Sequence, residues 1–422
     1  MQKNKKIVSA VMCGYLLAAG LVSCAKKDGK TELNFMEVMT SPDRTAVLQN
    51  LISRYEQEHP NVKINLISPP YEQADNRLTM SLNANEPLDI IEIRDTTAPQ
   101  YVTNKKVEDL TPFIAQWDEA GTLLSITKEA ASSAGGKPFL VPQFFYIKAL
   151  FARNDVLAKL GVTKMPASID ELYAICKQIT NGSTQFGYTL RGKGNPFKNS
   201  DVLIISDIKD IDPENIYKTK DGSSVFDNPQ FLTSLKAYAE LFKTACPPDA
   251  NNWGFNEQIN AFVAGVTPFL VQDPDTVPLL DSQLGRENYT VIPLPPGKSG
   301  TVYMDYGYAG FGIPSYSKHK NEAWDFIAWI SSNTQNSEFC EKYGALPVHS
   351  TAFTGNSYFS GGLYQAWADE MNNPGSFTFV KYPYASEKFP GWGQIQEQYM
   401  QSLLLGKVTA EEAAKVWADY WK

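Results

Sequence analysis

The chain has 422 residues, 20% of them charged and 43% hydrophobic, with a formal net charge of −8. The acidic balance excludes a broad nucleic-acid-binding face, which needs clustered Lys and Arg, and the composition fits a globular core rather than a disordered or fibrous chain. Its 22 Phe, 21 Tyr and 8 Trp could fill a large core or supply ring faces to a cleft, and composition does not separate the two.

The first segment is a basic start, Lys3, Lys5 and Lys6, followed by the uncharged, mostly apolar run Ile7 to Val22. That run is about 16 residues, short of the roughly 20 that a membrane-spanning helix needs. With the small residues that follow it, it reads as a secretory signal peptide over 1–23. The ending Leu21-Val22-Ser23-Cys24 resembles the bacterial lipobox, in which the cysteine is lipidated and becomes the first mature residue. The resemblance implies an acyl (palmitate-type) anchor on Cys24, a tether over 24–32 and a folded part held outside the cytoplasm at the bacterial cell membrane. Of the later cysteines, Cys176, Cys246 and Cys340 are expected as buried thiols, with one disulfide left open by an oxidising compartment.

Leu33 to Met39 reads as a strand, broken by Ser41-Pro42-Asp43-Arg44. Val47, Leu48, Leu51, Ile52 and Tyr55 recur at helical spacing, and His59-Pro60-Asn61 ends that helix. Val62, Ile64 and Leu66 alternate with polar residues as in a half-buried strand. A helix near Asn76 to Asn85 and a strand at Leu88 to Ile93 complete a β-α-β-α-β opening, the signature of an α/β layer with a mainly parallel sheet. A second layer follows. Phe151 ends a strand, Val156 to Leu160 and Ile169 to Ile179 are helices, and Ser168 with Glu171 forms a capping signal. Pro196 to Asn228 is polar and broken. Further helices are expected around Phe231 to Phe242, Phe255 to Val263, Glu322 to Ile330, Ile395 to Leu405 and Ala410 to Trp421, with a strand at Thr290 to Leu294.

Several segments, in order, resemble the extracellular solute-binding proteins of family 1, the maltodextrin-binding-like receptors of ABC importers. They are Arg54-Tyr55-Glu56-Gln57-Glu58-His59-Pro60-Asn61-Val62-Lys63-Ile64, Gly136-Lys137-Pro138-Phe139-Leu140-Val141-Pro142, and Phe151-Ala152-Arg153-Asn154-Asp155-Val156-Leu157 with Pro166-Ala167-Ser168-Ile169-Asp170-Glu171-Leu172. The last two are Tyr306 to Pro314 with Ser317 to Lys320 and Ala323 to Ile327, and Leu404-Leu405-Gly406-Lys407 with Glu411-Glu412-Ala413. The resemblance implies an α/β fold of two lobes, like that of periplasmic binding proteins, with three crossing hinge segments and a ligand cleft between the lobes. Matching order and spacing places lobe 1 at 33–144 and 272–312 and lobe 2 at 145–271 and 313–422. The crossings are expected near Gln143–Tyr146, Val271–Asp273 and Phe311–Pro314.

It further implies a binding protein that works as a monomer, captures a small polar solute and delivers it to the membrane subunits of an ABC permease. A sugar or oligosaccharide leads; polyols and glycerol phosphodiesters belong to the same family range. A lipoprotein that presents its ligand-bound form to a membrane receptor is the alternative. No cofactor or metal is implied.

The candidate ligand-binding residues follow from that placement. Asp43 and Arg44 sit after the first strand, and Arg94 and Asp95 after the third, where open α/β sheets bind ligands. A carboxylate such as Asp95 can accept from vicinal hydroxyls. Gln143, Phe145 and Tyr146 lie at the first crossing, and Arg191, with Asn195, in a Gly-rich turn. Gln272 and Asp273, followed by Asp275, stand where the family frequently has Gly and Trp, and would suit hydroxyls or a cationic group. Asp305, Tyr306 and Tyr308 lie at the third crossing. Trp392 and Trp253 are the candidate stacking rings, with core packing as the other reading of each. Catalytic signatures are missing from the sequence: there is no His-Glu-x-x-His, no Cys-x-x-Cys, no Gly-x-Ser-x-Gly and no phosphate-binding Gly-Lys-Ser/Thr loop. The expectation is a binding protein and not an enzyme.

Overall fold

A computed structural model describes residues 29–422, so the signal segment and Cys24 lie outside the described residues. The chain opens with β1 (Thr31–Met36), α1 (Pro42–Glu58), β2 (Val62–Ile67), α2 (Tyr71–Ala84) and β3 (Ile90–Arg94). Short helices α3 (Ala98–Thr103), α4 (Thr111–Ile114) and α5 (Ser125–Ser132) lead into β4 (Val141–Ile147). The chain then enters a second layer. This holds β5 (Ala149–Arg153), α6 (Asn154–Lys159), α7 (Ile169–Ile179), α8 (Pro196–Ile205), the hairpin β6 (Ile211–Asp212) and β7 (Asn215–Thr219), and α9 (Pro229–Ala245). It continues with α10 (Phe255–Val263), β8 (Phe269–Gln272), α11 (Thr276–Leu284) and β9 (Tyr289–Ile292). The remaining elements are β10 (Val302–Met304), β11 (Tyr306–Gly312), α12 (Lys320–Ile330), α13 (Asn333–Tyr343), α14 (Ala352–Gly355), α15 (Gln365–Asn372), β12 (Phe377–Phe379), α16 (Phe389–Leu404) and α17 (Ala410–Trp421).

Two sheets define two lobes. The first has the order β2-β1-β3-β11-β4, the second β8-β5-β9. β1 pairs in parallel with β2 and β3, as the alternating opening requires, while β11 runs antiparallel between β3 and β4. β11 approaches β4 so closely that a Cβ on Gly310 would lie 2.4 Å from the Val141 carbonyl oxygen, which is why a glycine stands there. The first core buries Leu33, Phe35, Leu48, Ile90 and Phe311, and the second Phe151, Phe197, Leu235, Phe269 and Trp417. Each fully buried side chain of this size contributes on the order of 1.5–3 kcal/mol.

The lobe boundaries differ from those expected by spacing. Val271 is no return to the first lobe: β8 is an edge strand of the second sheet, and β9 pairs with β5 on its other side. The segment 272–304 therefore stays with the second lobe, β9 on its sheet and β10 paired separately with β12, and the chain rejoins the first sheet after Asp305, between β10 and β11. Nor does it leave at Phe311–Pro314. α13 packs on α1 and β4, α12 on α1 and β1, and Leu346 pairs with Phe145. The chain leaves only after His349, whose ring contacts Thr122 and the Ser331 carbonyl. The first crossing is near its expected place, with Lys148 between β4 and β5.

Local chemistry explains the smaller differences. Ser41-Pro42 does not merely break β1. Ser41 caps α1, its hydroxyl accepting from the Arg44 N–H at 3.3 Å, and Pro42 takes the first helical position, where its missing N–H costs nothing. The segment 196–228, expected as broken, contains α8, most of whose residues are buried. Cys176, Cys246 and Cys340 are free and buried. Among the described residues no helix is long and apolar enough to cross a membrane.

Candidate functional site

A cavity of about 520 Å³ lies between the lobes. The carboxyl ends of β1 and β3 point at it, as strand ends in open α/β sheets do. After β1, Met39, Thr40 and Ser41 form one wall; after β3, Arg94, Asp95 and Thr96 form the next, with Tyr71 beside them. The floor is the crossing ribbon, with Phe144 and Tyr146 of β4, Lys148, Asp305 and Gly307. The second lobe supplies Lys198 and Asn199 from the first turn of α8 and Asp273 and Asp275 from the turn before α11. Tyr343, at the end of α13, closes one side and hydrogen-bonds Tyr146 hydroxyl to hydroxyl at 2.5 Å. A smaller cavity of about 190 Å³ adjoins it, sharing Asp95, Asp305 and Tyr308, and is roofed by Tyr382 and Tyr384 of the second lobe.

The loop after β1 is held from below. Glu92 on β3 accepts from the backbone N–H groups of Val38 at 2.8 Å and Met39 at 2.9 Å. Arg44 bridges Glu37 at 2.7 Å and Glu92, and all three side chains are fully buried. Glu37 also accepts from Thr45 and Ser68 hydroxyls, each at 2.6 Å. The rings of Phe144, Phe339 and Tyr343 surround the guanidinium at 5.3–5.7 Å. Arg44 thus supports the wall and does not reach the cavity, and Asp43 is exposed on the outer side of the first turn of α1.

Of the other expected residues, Arg94, Asp95, Tyr146, Asp273, Asp305 and Tyr308 line the main cavity, and Tyr306 lines the adjoining one. Arg94 pairs with Asp75 at 3.0 Å and lies over the Tyr71 ring. The remainder do not reach it, for identifiable reasons. β4 alternates, so Phe144, Tyr146 and Lys148 face the cavity while Gln143 and Phe145 do not. Gln143 is buried and its carbonyl accepts from Asn336 at 2.7 Å. Gln272 is buried against Gln258 at 3.1 Å, and its side-chain oxygen accepts from the Asp273 N–H, orienting that turn. Arg191 lies on the Phe255 ring. Asn195 accepts from Gln396 at 2.8 Å, and the Trp253 indole donates to Asp249 at 3.1 Å, so neither is a wall residue. Trp392 belongs to α16 rather than to the loop before it. It is 3% exposed, packed among Phe197, Tyr217, Trp417 and Trp421.

An ion-pair chain crosses the floor. Lys148 contacts Asp305 at 2.6 Å and Asp201 at 3.1 Å, and Lys198 contacts Asp305 at 3.1 Å. Lys198 donates to the Tyr384 hydroxyl at 2.9 Å and lies over the Tyr382 ring, while the Tyr382 hydroxyl donates to Asp201. Burial opposes ionisation of Asp305, but two ammonium groups outweigh it and hold this carboxyl at about 2. Asp201 has one ammonium, burial wins, and its carboxyl is pushed up to about 6. Burial also raises Asp95 and Asp273. Asp275 is pushed up to about 7 by its position deep between the lobes and by the charge of Asp273. Its side chain is open to water in the cavity, so solvent screens part of that rise.

Sequence reasoning passed over Lys148, Lys198, Tyr71 and Tyr343. Lys148 carries a readable signal, a lone charge between the apolar runs of β4 and β5. The tyrosines carry none, since tertiary folding alone brings them to the cavity.

The arrangement is a two-lobed receptacle with rings, carboxylates and ammonium groups converging on one space, the common form of a small-molecule site. The chain matches the bacterial extracellular solute-binding protein family over residues 40–337. It is 22% identical over 355 residues to the ABC transporter periplasmic-binding protein YcjN of Escherichia coli (strain K12), covering 82% of this chain and 80% of that one. It is also 22% identical over 363 residues to the diacetylchitobiose binding protein DasA of Streptomyces coelicolor, covering 82% and 79%. The structure of the sugar-binding protein MalE from Xanthomonas citri superposes with a TM-score of 0.78 at 18% identity, covering 92% of this chain and 96% of that one, which shows the fold. Proteins of this kind bind and carry solutes and are not enzymes. The chain belongs to the bacterial extracellular solute-binding protein family, the binding components of ABC transporters.

Proposed function

We propose that this protein captures a carbohydrate in the cavity between its lobes and delivers it to an ABC permease, working outside the cytoplasm on a lipid anchor at Cys24. The observation that carries the carbohydrate reading is the pairing of phenol rings with carboxylates around one space. Tyr71, Tyr146, Tyr308 and Tyr343 offer apolar faces, and Asp95, Asp273 and Asp275 offer acceptors for hydroxyls. The relationship to DasA supports the same solute class. Closure of the lobes is the expected response, because a ligand shifts the equilibrium only through contacts that differ between the open and closed arrangements.

A thermal-shift screen of mono- and oligosaccharides, polyols and glycerol phosphodiesters tests the reading. A ligand at 100 times its Kd stabilises by about 2.7 kcal/mol, so the cognate class stands out. At least one saccharide is expected to raise the melting temperature and to reduce the radius of gyration in solution scattering. A response confined to phosphodiesters or to non-carbohydrate solutes defeats the carbohydrate assignment.

A further inference from the structure

The charges lining the main cavity do not balance. Each of its cations is already engaged: Lys148 by Asp201 and Asp305, Lys198 by Asp305, and Arg94 by Asp75. Asp95, Asp273 and Asp275 line the same space, and among the described residues none of the three has an ion-pair partner. Asp95 accepts only from the neighbouring Thr96 N–H, at 2.8 Å. Asp273 feels the charges of Lys148, Lys198 and Arg191, Asp95 those of Lys198 and Arg94, and Asp275 that of Arg191, but none of these cations pairs with any of the three carboxylates. The cavity is a site on grounds that do not involve these carboxylates, namely its place between the lobes of a solute-binding protein.

Asp273 and Asp275 are separated only by Pro274, and the charge of Asp273 disfavours ionisation of Asp275. Hydroxyl groups of a neutral sugar would donate to them and leave that repulsion in place. An ammonium group donates up to three hydrogen bonds and also cancels it. The rings suit the same group. Tyr146 and Tyr343 stand with centroids 6.2 Å apart beside the turn that carries the two aspartates, and ring faces attract cations.

We propose that the cavity selects a carbohydrate bearing a protonated amine, with the ammonium group seated at Asp273 and Asp275 and Asp95 facing it from the other lobe. The inference rests on the carbohydrate reading and narrows it. Lys148, Lys198, Asp201 and Asp305 then form a fixed, self-neutralised floor of two cations and two anions, and the three free carboxylates do the selecting.

Titration calorimetry on the full mature chain at pH 7, where the amino sugars are largely protonated, tests it with matched probes: glucosamine against glucose, and chitobiose with free amines against its diacetylated form. Spermidine and calcium chloride complete the set. At least one amine-bearing saccharide is expected to bind tenfold or more tighter than its neutral partner. The paired change Asp273→Asn with Asp275→Asn is expected to abolish that preference while circular dichroism and melting temperature show an intact fold. A neutral partner that binds as tightly overturns the amine selection and leaves the carbohydrate reading standing. Binding of spermidine without any saccharide overturns both. Calcium binding with no amine binding, no binding of any amine probe, or amine binding untouched by the paired change each overturns the proposal.

Discussion

Replacing Arg44 with methionine removes one cation from between two carboxylates that have no access to water. Arg44, Glu37 and Glu92 all have fully buried side chains, and the arginine is the ion-pair partner of both glutamates. Breaking a buried pair by deleting one partner costs about 3–5 kcal/mol, because an uncompensated charge stays behind. The destabilisation of Arg44→Met, measured by urea unfolding at pH 7, should therefore be about 4 kcal/mol. Arg44→Lys should recover only part of the loss, since an ammonium group lacks the fork that reaches two partners. A loss under about 1 kcal/mol at pH 7 would refute the triad as the support of the cavity wall.

Three further outcomes are expected. Asp305 is held at about 2 by Lys148 and Lys198, so the stability it contributes is complete above the ordinary Asp range near 4 and is lost as pH falls toward 2; Asp305→Asn should flatten that acid limb of a melting curve taken against pH. Trp392→Ala should cost about 3–5 kcal/mol as a core truncation and leave ligand affinity in the folded fraction unchanged by calorimetry; a tenfold loss of affinity without loss of stability would return this ring to the cavity. Cys24→Ala should move the protein from the detergent phase to the aqueous phase on fractionation of cells, and identical partitioning of the two forms would rule out the lipid anchor.

The opening of the fold was legible because its signals are local. The apolar spacing of Val47 to Tyr55, the Pro60 stop and the alternation of Val62 to Leu66 each report on their own neighbourhood, and α1 and β2 lie where those patterns put them. Ser168 likewise caps α7, accepting from the Glu171 N–H at 3.1 Å. The lobe boundaries were not legible, since a short apolar strand carries no mark of the sheet it will join. β9 reads as an ordinary strand and β8 only as an expected crossing near Val271, and their pairing with β5 is what assigns them. Among the expected residues, position after a strand marked Arg94 and Asp95, which line the cavity. It misled for Arg44, where helical phase turned the side chain inward, and placement at the first crossing misled for Gln143 and Phe145, where one step along β4 exchanges the two faces. Trp392 misled because its loop-like Pro390-Gly391 lead-in is in fact the first turn of α16.

The place of β11 has a consequence for how the molecule comes into being. This strand lies between β3 and β4, yet it follows β4 only after the whole second sheet has been laid down. Until it arrives, β4 has no strand partner and β3 has one open side, and α12 and α13, which cover the same lobe, follow later still. Contacts so distant along the chain form slowly, because the intervening loop must be closed first. The amino-terminal lobe therefore cannot lock while its own residues are being synthesised. A protein that works outside the cytoplasm must cross a membrane, and a thread that stays unlocked until its late strand emerges is one that can still be threaded.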